Sequence, residues 1–134
     1  IFKLINYRDP AEVVDEEFPV WLTTGRRLES YHTRTQTGRS EGIDYLLPEE
    51  TLEIHPEDLR DFGLNDGSFC KLSSRRGSVK IRVCATSKSP RGTVFCSFSF
   101  SDVPVNVLTG SGYDPITETA ELKVCPVHIE PVED

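Results

Sequence analysis

Residues 22–39, LTTGRRLESYHTRTQTGR, contain two Thr-Gly-Arg triplets with a tyrosine and a histidine between them. A glycine at the end of a strand lets the backbone approach a ligand closely, and hydroxyl, N–H and guanidinium groups donate to phosphate oxygens. The pattern predicts an anion site, and two triplets suit an extended ligand that carries phosphates and flat heterocycles. A polar surface loop is the alternative explanation, and the P-loop and GxGxxG patterns of nucleotide-binding proteins are absent.

Groups that could perform catalysis are few. His32 lies among polar residues of this loop, whereas His55 precedes a predicted helix and His128 lies in an apolar, strand-like run. No GxSxG motif marks a nucleophile. No complete active site is recognisable in these residues, which favours a binding role, and a Ser/His/Asp or Cys/His arrangement is the alternative that stays open.

The cysteines are widely spaced and form no CxxC pair; they are Cys70, Cys84, Cys96 and Cys125. Each lies in an apolar, β-prone run, where a free thiol usually packs as a small hydrophobic group. The pattern predicts buried strand thiols and argues against a metal site built from them. It also favours a reducing compartment, and so a cytoplasmic over a periplasmic location.

The net charge of -7 argues against nucleic acid or an acidic membrane as a partner. No run approaches the about 18 consecutive apolar residues that a membrane-spanning helix needs. The charge is unevenly distributed, because no acidic residue lies between Asp66 and Asp102, whereas seven basic residues do. This interval predicts either a positive face or solvated side chains that protect strand edges, and we favour the second interpretation.

Runs of β-branched and alternating residues predict strands at residues 18–24, 52–54, 68–74, 78–86, 93–100 and 122–129. Pro126 suggests an edge or a bulge in the last strand. A short helix is predicted after His55, and residues 26–44 predict a long functional loop that includes a helical turn. Residues 1–17 predict a connector from a preceding domain and residues 18–134 a single domain. The fold class is all-β, a small closed or nearly closed barrel, and a chain that begins at Ile1 without any Met is expected to be a piece of a longer protein.

Four segments in order carry a resemblance: EEFPVWLTTGRRLESYHTRTQTGR, EIHPEDLRDFGLNDGSFCKLSSRRGSVKIRV, PRGTVFCSF and NVLTGSGYDPITETAELKVCPVHIEPV. The match runs in order from about Phe18 to Val132. They resemble the C-terminal molybdopterin-dinucleotide-binding domain of the dimethyl-sulfoxide-reductase superfamily, most of all that of the formate dehydrogenase catalytic (alpha) subunit. The resemblance implies a double-psi β-barrel with one or two short helices.

The resemblance also implies that the chain binds part of a bis-molybdopterin guanine dinucleotide cofactor with Mo or W. The whole enzyme would oxidise formate to CO2, with the remaining domains of the catalytic subunit and electron-transfer subunits as partners. In such enzymes the iron–sulfur cysteines, the metal ligand and the catalytic histidine lie in other domains, so the resemblance implies that this chain alone does not turn over a substrate. Nitrate reductase and formylmethanofuran dehydrogenase are alternatives within the superfamily. Outside it, the alternatives are a non-catalytic double-psi barrel, such as an ATPase adaptor domain, and a small barrel without a ligand.

Position by position, the resemblance implies a set of cofactor-binding residues and no catalytic or metal-ligating residue. Those in the first loop are Thr24, Gly25, Arg26, Arg27, Tyr31, His32 and Thr33, and the later ones are Phe98, Ser99, Asn106 and Lys123. The chain departs from the family pattern at three positions. Leu122 stands where a tyrosine is usual, and Ser99 stands where a histidine is common. Ser40 follows Arg39 where the family pattern has a second arginine. These departures fall mainly on the later, pterin-side positions.

Overall fold

The computed structural model describes residues 2–132 and has a barrel of six short strands at its centre. The strands are β1 (Val20–Gly25), β2 (Thr51–Ile54), β3 (Phe69–Ser73), β4 (Ser78–Ala85), β5 (Thr93–Ser97) and β6 (Val124–Pro131). The connections contain two helices, α1 (Glu41–Leu46) and α2 (Pro56–Asp61), and the 3-10 turns Thr37–Arg39 and Val105–Val107. Among the described residues, neither helix has the length or apolar character that crossing a membrane requires.

Side-chain alternation decides which face of each strand enters the barrel. In β4 the side chains of Val79, Ile81 and Val83 are buried, while Lys80 and Arg82 between them face outward. The other strands fill the interior in the same way, with side chains that include Val20, Leu22, Leu52, Ile54, Leu72, Val94 and Val127. The barrel interior is therefore a packed apolar core, and any ligand site must lie at its surface.

The strands close in the order β1-β5-β2-β4-β3-β6. β1 runs parallel to β5 and β2 parallel to β4, whereas the other neighbours are antiparallel. Gly25 therefore lies beside Ser97, and Thr23 lies beside Val124. It follows that β1 and β5 end, and β2 and β6 begin, at one end of the barrel, which we call the rim. Chain segments far apart in sequence leave and enter the barrel side by side there.

The predicted fold class is confirmed as a mainly β, closed double-psi barrel with two short helices. The predicted loop 26–44 includes the first of these helices and a 3-10 turn. Pro126 lies in the half of β6 that pairs with β1, before pairing with β3 begins at His128. Proline lacks a backbone N–H, and in that half of β6 this costs no ladder hydrogen bond because β1 is the one paired neighbour.

Residues 2–17 contain no helix or strand, yet ion pairs hold part of this segment against the barrel. Glu12 pairs with Arg76 at 2.5 Å, and Asp15 pairs with Arg75. The hydrogen bond from Arg76 lowers the pKa of Glu12. A connector at residues 1–17 and a domain at 18–134 stay predictions, and residues 1, 133 and 134 lie outside the described residues.

Five of the seven basic residues of the acid-free interval pair with acids that are distant in sequence. The pairs are Lys71–Glu130, Arg75–Asp15, Arg76–Glu12, Arg82–Glu49 and Arg91–Asp58. The edge-protecting role favoured from the sequence is wrong, because the described strands close into a barrel and leave no edge to protect. Folding instead brings separated charges of opposite sign together, so these bases form no free positive face.

The prediction of buried strand thiols is confirmed for Cys70, Cys96 and Cys125, while Cys84 is half-buried, and all four are free. Burial raises the pKa of Cys70 to about 12 and that of Cys125 to about 11. Burial also raises the pKa of Cys96. At neutral pH these three thiols are therefore protonated and shielded, which makes them poor nucleophiles.

Alkylation of the folded protein at neutral pH should consequently modify Cys84 before Cys70, Cys96 and Cys125. Peptide mass spectrometry after timed exposure to iodoacetamide would measure the order. In denaturant all four should react at similar rates, which provides the control. Early modification of Cys96 in the folded state would contradict the packing described here.

Candidate functional site

The aromatic ring of Phe98 is the centre of a side-chain cluster on the rim. The His32 ring packs edge-on against it with centroids 5.6 Å apart, and the Lys123 Nζ lies 5.7 Å from its centroid. Lys123 Nζ is also 3.5 Å from the carbonyl oxygen of Thr24, whose N–H donates to the Lys123 carbonyl at 3.1 Å. The barrel thus joins Thr24, His32, Phe98 and Lys123, four of the predicted residues, from three separate segments.

The loop after β1 is anchored at Arg34 and exposed on either side of it. The Arg34 guanidinium donates to the Leu47 carbonyl at 2.8 Å, pairs with Asp44 and stacks 4.1 Å from the centroid of Phe100. His32 and Arg34 both have positive φ, 52° and 60°. Such conformations are strained for these residue types and concentrate at functional sites, where surrounding contacts enforce them.

Within this loop Arg26, Tyr31 and Thr33 are exposed. The backbone of Tyr31 is held within the loop, because its N–H donates to the hydroxyl of Thr37 at 3.2 Å. Arg26 forms no ion pair with any residue in the described part of the chain. Its guanidinium donors are therefore available to an anion from solution.

Arg27 occupies a different environment from its neighbour Arg26. Its guanidinium donates to Glu50 at 3.1 Å, to Glu53 at 2.7 Å and to the Thr51 carbonyl at 2.9 Å, and its side chain is 12% exposed. Burial alone would lower the pKa of Arg27, but the carboxylates of Glu50 and Glu53 outweigh it and raise the pKa. Arg27 therefore stays charged, with its donors directed at the protein. Its predicted contact with a ligand stays a prediction.

Glu50 is a rim residue that the sequence did not single out. Its side chain is fully buried, and its carboxylate accepts hydrogen bonds from the backbone N–H of Ser97 at 2.9 Å and from the Ser97 hydroxyl. The Ser97 hydroxyl accepts in turn from the N–H of Ser99 at 3.2 Å. In sequence Glu50 stands in an acidic run, PEET, that is typical of solvated surface, so no local signal marks it.

The hydroxyl of Ser99 is buried and has no hydrogen-bond partner among residues 2–132. Ser99 lines an open groove of ≈ 530 Å³ together with Thr33, Arg34, Gly38 and Phe100. A buried polar group is nearly always satisfied in a folded protein. The Ser99 hydroxyl, like that of Ser30 in the loop after β1, therefore has a hydrogen bond to give to a group from outside the chain, water included.

Asn106 lies apart from the Phe98 cluster. It belongs to the turn Val105–Val107, in which Val105 and the following Leu108 are buried in the core. Arg76 ties this turn to the β3–β4 hairpin by donating to the Leu108 carbonyl at 3.2 Å. Asn106 itself is exposed, and its side chain forms no hydrogen bond within residues 2–132. Its predicted role in binding stays a prediction.

No group of three or more His, Cys, Asp or Glu side chains within residues 2–132 is placed to hold a metal ion. What the rim offers instead is a combination of unpaired cationic donors, one aromatic face and an unsatisfied hydroxyl. These groups suit a large ligand that carries both phosphates and flat rings, as the loop sequence predicted.

This barrel and its rim define a domain of the cofactor-binding class. A profile of the Molydopterin dinucleotide binding domain matches residues 20–126, and the chain belongs to this family. The resemblance drawn from the motifs is therefore confirmed, and a molybdopterin cofactor is the ligand of the domain.

Individual relatives are alpha subunits of formate dehydrogenases. The chain is 39% identical over 131 residues to F420-dependent formate dehydrogenase 2 subunit alpha of Methanococcus maripaludis, covering 98% of this chain and 19% of that protein. It is 37% identical over 126 residues to F420-dependent formate dehydrogenase subunit alpha of Methanocaldococcus jannaschii, covering 94% and 19%. The chain thus spans about a fifth of the length of these relatives, 19% in each case.

A solved structure with the same fold is acetylene hydratase from Pelobacter acetylenicus. Its TM-score to this chain is 0.75, with 87% of this chain and 19% of that chain covered. The sequence identity is 15%, so this likeness concerns the fold alone. Here too, the matched barrel is a small part of a much larger chain.

Proposed function

We propose that this chain binds a bis-molybdopterin guanine dinucleotide cofactor, carrying Mo or W, as one domain of a formate dehydrogenase alpha subunit. The observation that carries the proposal is the pair of basic side chains at the rim: Lys123 lies beside the Phe98 ring, and Arg26, which follows the Gly25–Ser97 pair, is exposed and forms no ion pair within residues 2–132. Membership of the family supplies the class of ligand. The number of pterin nucleotides, the metal and the reaction of the whole enzyme are not given by family membership and belong to the proposal.

The residues at the rim fit such a group. Arg26 and Lys123 can donate to phosphate oxygens, and the Phe98 and His32 rings can pack against a flat heterocycle. The Ser99 hydroxyl, buried without a partner in the described chain, would gain one. When bound, the cofactor supplies the redox chemistry, while the protein groups named here hold it, orient it and exclude water.

The alpha subunits of F420-dependent formate dehydrogenases are the relatives that support oxidation of formate to CO2 as the reaction of the whole protein. The rest of that subunit and electron-transfer subunits are the proposed partners. Contact with a neighbouring domain is supported by large apolar side chains that are almost fully exposed, namely Phe2, Leu4, Ile5 and Ile116. Residues 1–17 are the proposed connector to that domain.

The four free cysteines support a reducing, cytoplasmic location. Nitrate reductase and formylmethanofuran dehydrogenase are second candidates within the superfamily, and the identity to formate dehydrogenase relatives favours the first choice. The ATPase-adaptor alternative loses its support, because the family profile that matches the chain is that of a cofactor-binding domain.

Anaerobically purified full-length protein should contain molybdopterin guanine dinucleotide and should reduce an artificial electron acceptor when formate is added. Nucleotide released by acid would measure the cofactor, and dye reduction would measure the reaction. Cofactor without a response to formate would remove the formate assignment only. Protein that lacks the nucleotide after expression in a host able to make it would remove the binding role as well.

Arg26→Ala should lower cofactor retention while leaving folding unchanged, because the side chain is exposed and forms no ion pair within residues 2–132. Loss of one charged hydrogen bond corresponds to about 1.5–3 kcal/mol, or roughly ten- to a hundredfold in affinity. Nucleotide content per mole of full-length protein would measure it, with the melting temperature recorded alongside. Arg60→Ala is the matched control, since Arg60 is an exposed arginine in α2 at the opposite end of the barrel. Unchanged nucleotide content in Arg26→Ala would remove this contact.

A further inference from the structure

A chain of buried hydrogen bonds runs from Arg27 to both sides of Phe98. Arg27 holds the carboxylate of Glu50, and that carboxylate accepts from the N–H of Ser97, the residue before Phe98. The Ser97 hydroxyl donates to the same carboxylate and accepts from the N–H of Ser99, the residue after Phe98. The backbone on each side of the Phe98 ring is therefore fixed by one carboxylate.

Burial makes this arrangement sensitive to its charges. The Glu50 side chain is 0% exposed and that of Arg27 is 12% exposed, so neither charge can be replaced by water without rearrangement. A buried charge left without its partner carries a large desolvation penalty. Loss of Arg27 would therefore disturb Glu50, and through Glu50 the segment that carries the Phe98 ring of the rim cluster and Ser99, a residue that lines the neighbouring groove.

We infer that Arg27 and Glu50 are positioning residues that hold the Phe98 segment in place for the cofactor, and that Arg27 does not itself contact the cofactor. This inference rests on the proposed function. Arg26 and Arg27 thereby have different roles although they are adjacent. Arg26 contacts the ligand, whereas Arg27 supports the Phe98 segment. The support reaches Phe98 only through Ser97 and Ser99.

Rescue of one substitution by another separates this role from direct contact. In full-length protein, Arg27→Met leaves Glu50 buried without its principal counter-charge, and it should speed loss of bound nucleotide about tenfold, as loss of a residue that orients a ligand-holding group does. Adding Glu50→Gln removes the unpaired charge while keeping an amide that can bond to Ser97. The double variant should therefore retain nucleotide within about threefold of wild type. A direct contact predicts no rescue, so a double variant as poor as Arg27→Met would overturn the inference.

Ser97→Ala tests the same chain of bonds without disturbing the ion pair, and so gives a result even where Arg27→Met does not fold. It removes the hydroxyl that links Glu50 to the Ser99 N–H, and it should speed nucleotide loss several-fold while lowering the melting temperature no more than Asp58→Asn does. Ser87→Ala is the matched control, because Ser87 is an exposed serine in the connection between β4 and β5, at the end of the barrel opposite the rim. Wild-type retention in Ser97→Ala would also overturn the inference.

General destabilisation is controlled by Asp58→Asn. Asp58 is another buried carboxylate, and it accepts from the Gly92 N–H at 2.7 Å and from Arg91 at 2.9 Å at the opposite end of the barrel. This variant should lower the melting temperature but keep the nucleotide. Nucleotide loss in Asp58→Asn equal to that in Arg27→Met would show a stability effect and refute positioning. Wild-type protein without nucleotide would instead refute the proposed function itself.

Discussion

Replacing Leu22 by alanine is expected to lower the free energy of unfolding by about 3 kcal/mol, the range found when a buried leucine is truncated in a packed core. Leu22 is 0% exposed and lies in the middle of β1, between Val94 of β5 and Cys125 of β6. Both neighbouring strands end or begin at the rim, so a cavity at Leu22 would weaken the support of the loop that follows β1.

Once the domain is shown to fold alone, denaturant unfolding would measure the change through the fluorescence of Trp21, the single tryptophan of this chain. Otherwise, the proteolysis rate of the full-length protein would measure it. Leu28→Ala is the matched control, because Leu28 is the same residue type and 99% exposed. That variant should stay within about 0.5 kcal/mol of wild type. Equal stability of the two variants would contradict a barrel core centred on Leu22.

The strands of this fold could be predicted from the sequence because their signal is local. Val79, Ile81 and Val83 alternate with Lys80 and Arg82, and that alternation is both the sequence pattern and the observed burial pattern. Barrel closure is not local, since β1 pairs with β5 across about seventy intervening residues, Trp21 beside Thr93. Periodicity carries no information on such a pairing, and only the resemblance to a known family supplied it.

The charges illustrate the same limit at the level of single residues. Arg26 and Arg27 are adjacent and identical in type, and the loop sequence predicts the same phosphate-binding role for both. The difference between them comes from Glu50, which lies 23 residues from Arg27 in sequence and reaches it because β2 begins at the rim where β1 ends. Likewise the basic interval 67–101 has the pattern of surface charge, and only folding brings its acidic partners, such as Glu12 and Glu130, beside it.

The candidate site divides in the same way. Thr24 and Lys123 meet because Thr23 pairs with Val124, and Phe98 joins them because Gly25 pairs with Ser97. The resemblance identified these residues without stating what holds them together. Ser99 stands where histidine is common in the family. Its hydroxyl is a smaller polar group at the same position, and it has no hydrogen-bond partner within residues 2–132.

Gly25→Ala tests which physical requirement keeps glycine at the end of β1. From the sequence, glycine serves to let a ligand approach the backbone, which predicts poor cofactor retention with normal stability. In the structure a Cβ added to Gly25 would lie 2.7 Å from Cε2 of Phe95, whose ring also packs 5.5 Å from the guanidinium carbon of Arg27. Alanine would therefore displace an aromatic ring that adjoins the Arg27–Glu50 pair.

We expect Gly25→Ala to lower the free energy of unfolding by about 1–3 kcal/mol, as overpacking of a core typically does, and to lower nucleotide retention as well. Gly42→Ala is the matched control, because Gly42 lies in α1 and a methyl group added there would meet no atom within 4 Å. That change should be neutral or should stabilise by up to about 1 kcal/mol through helix propensity. Loss of nucleotide with unchanged stability in Gly25→Ala would favour ligand approach over packing, whereas loss of stability in cofactor-free protein would place the requirement in the contact with Phe95.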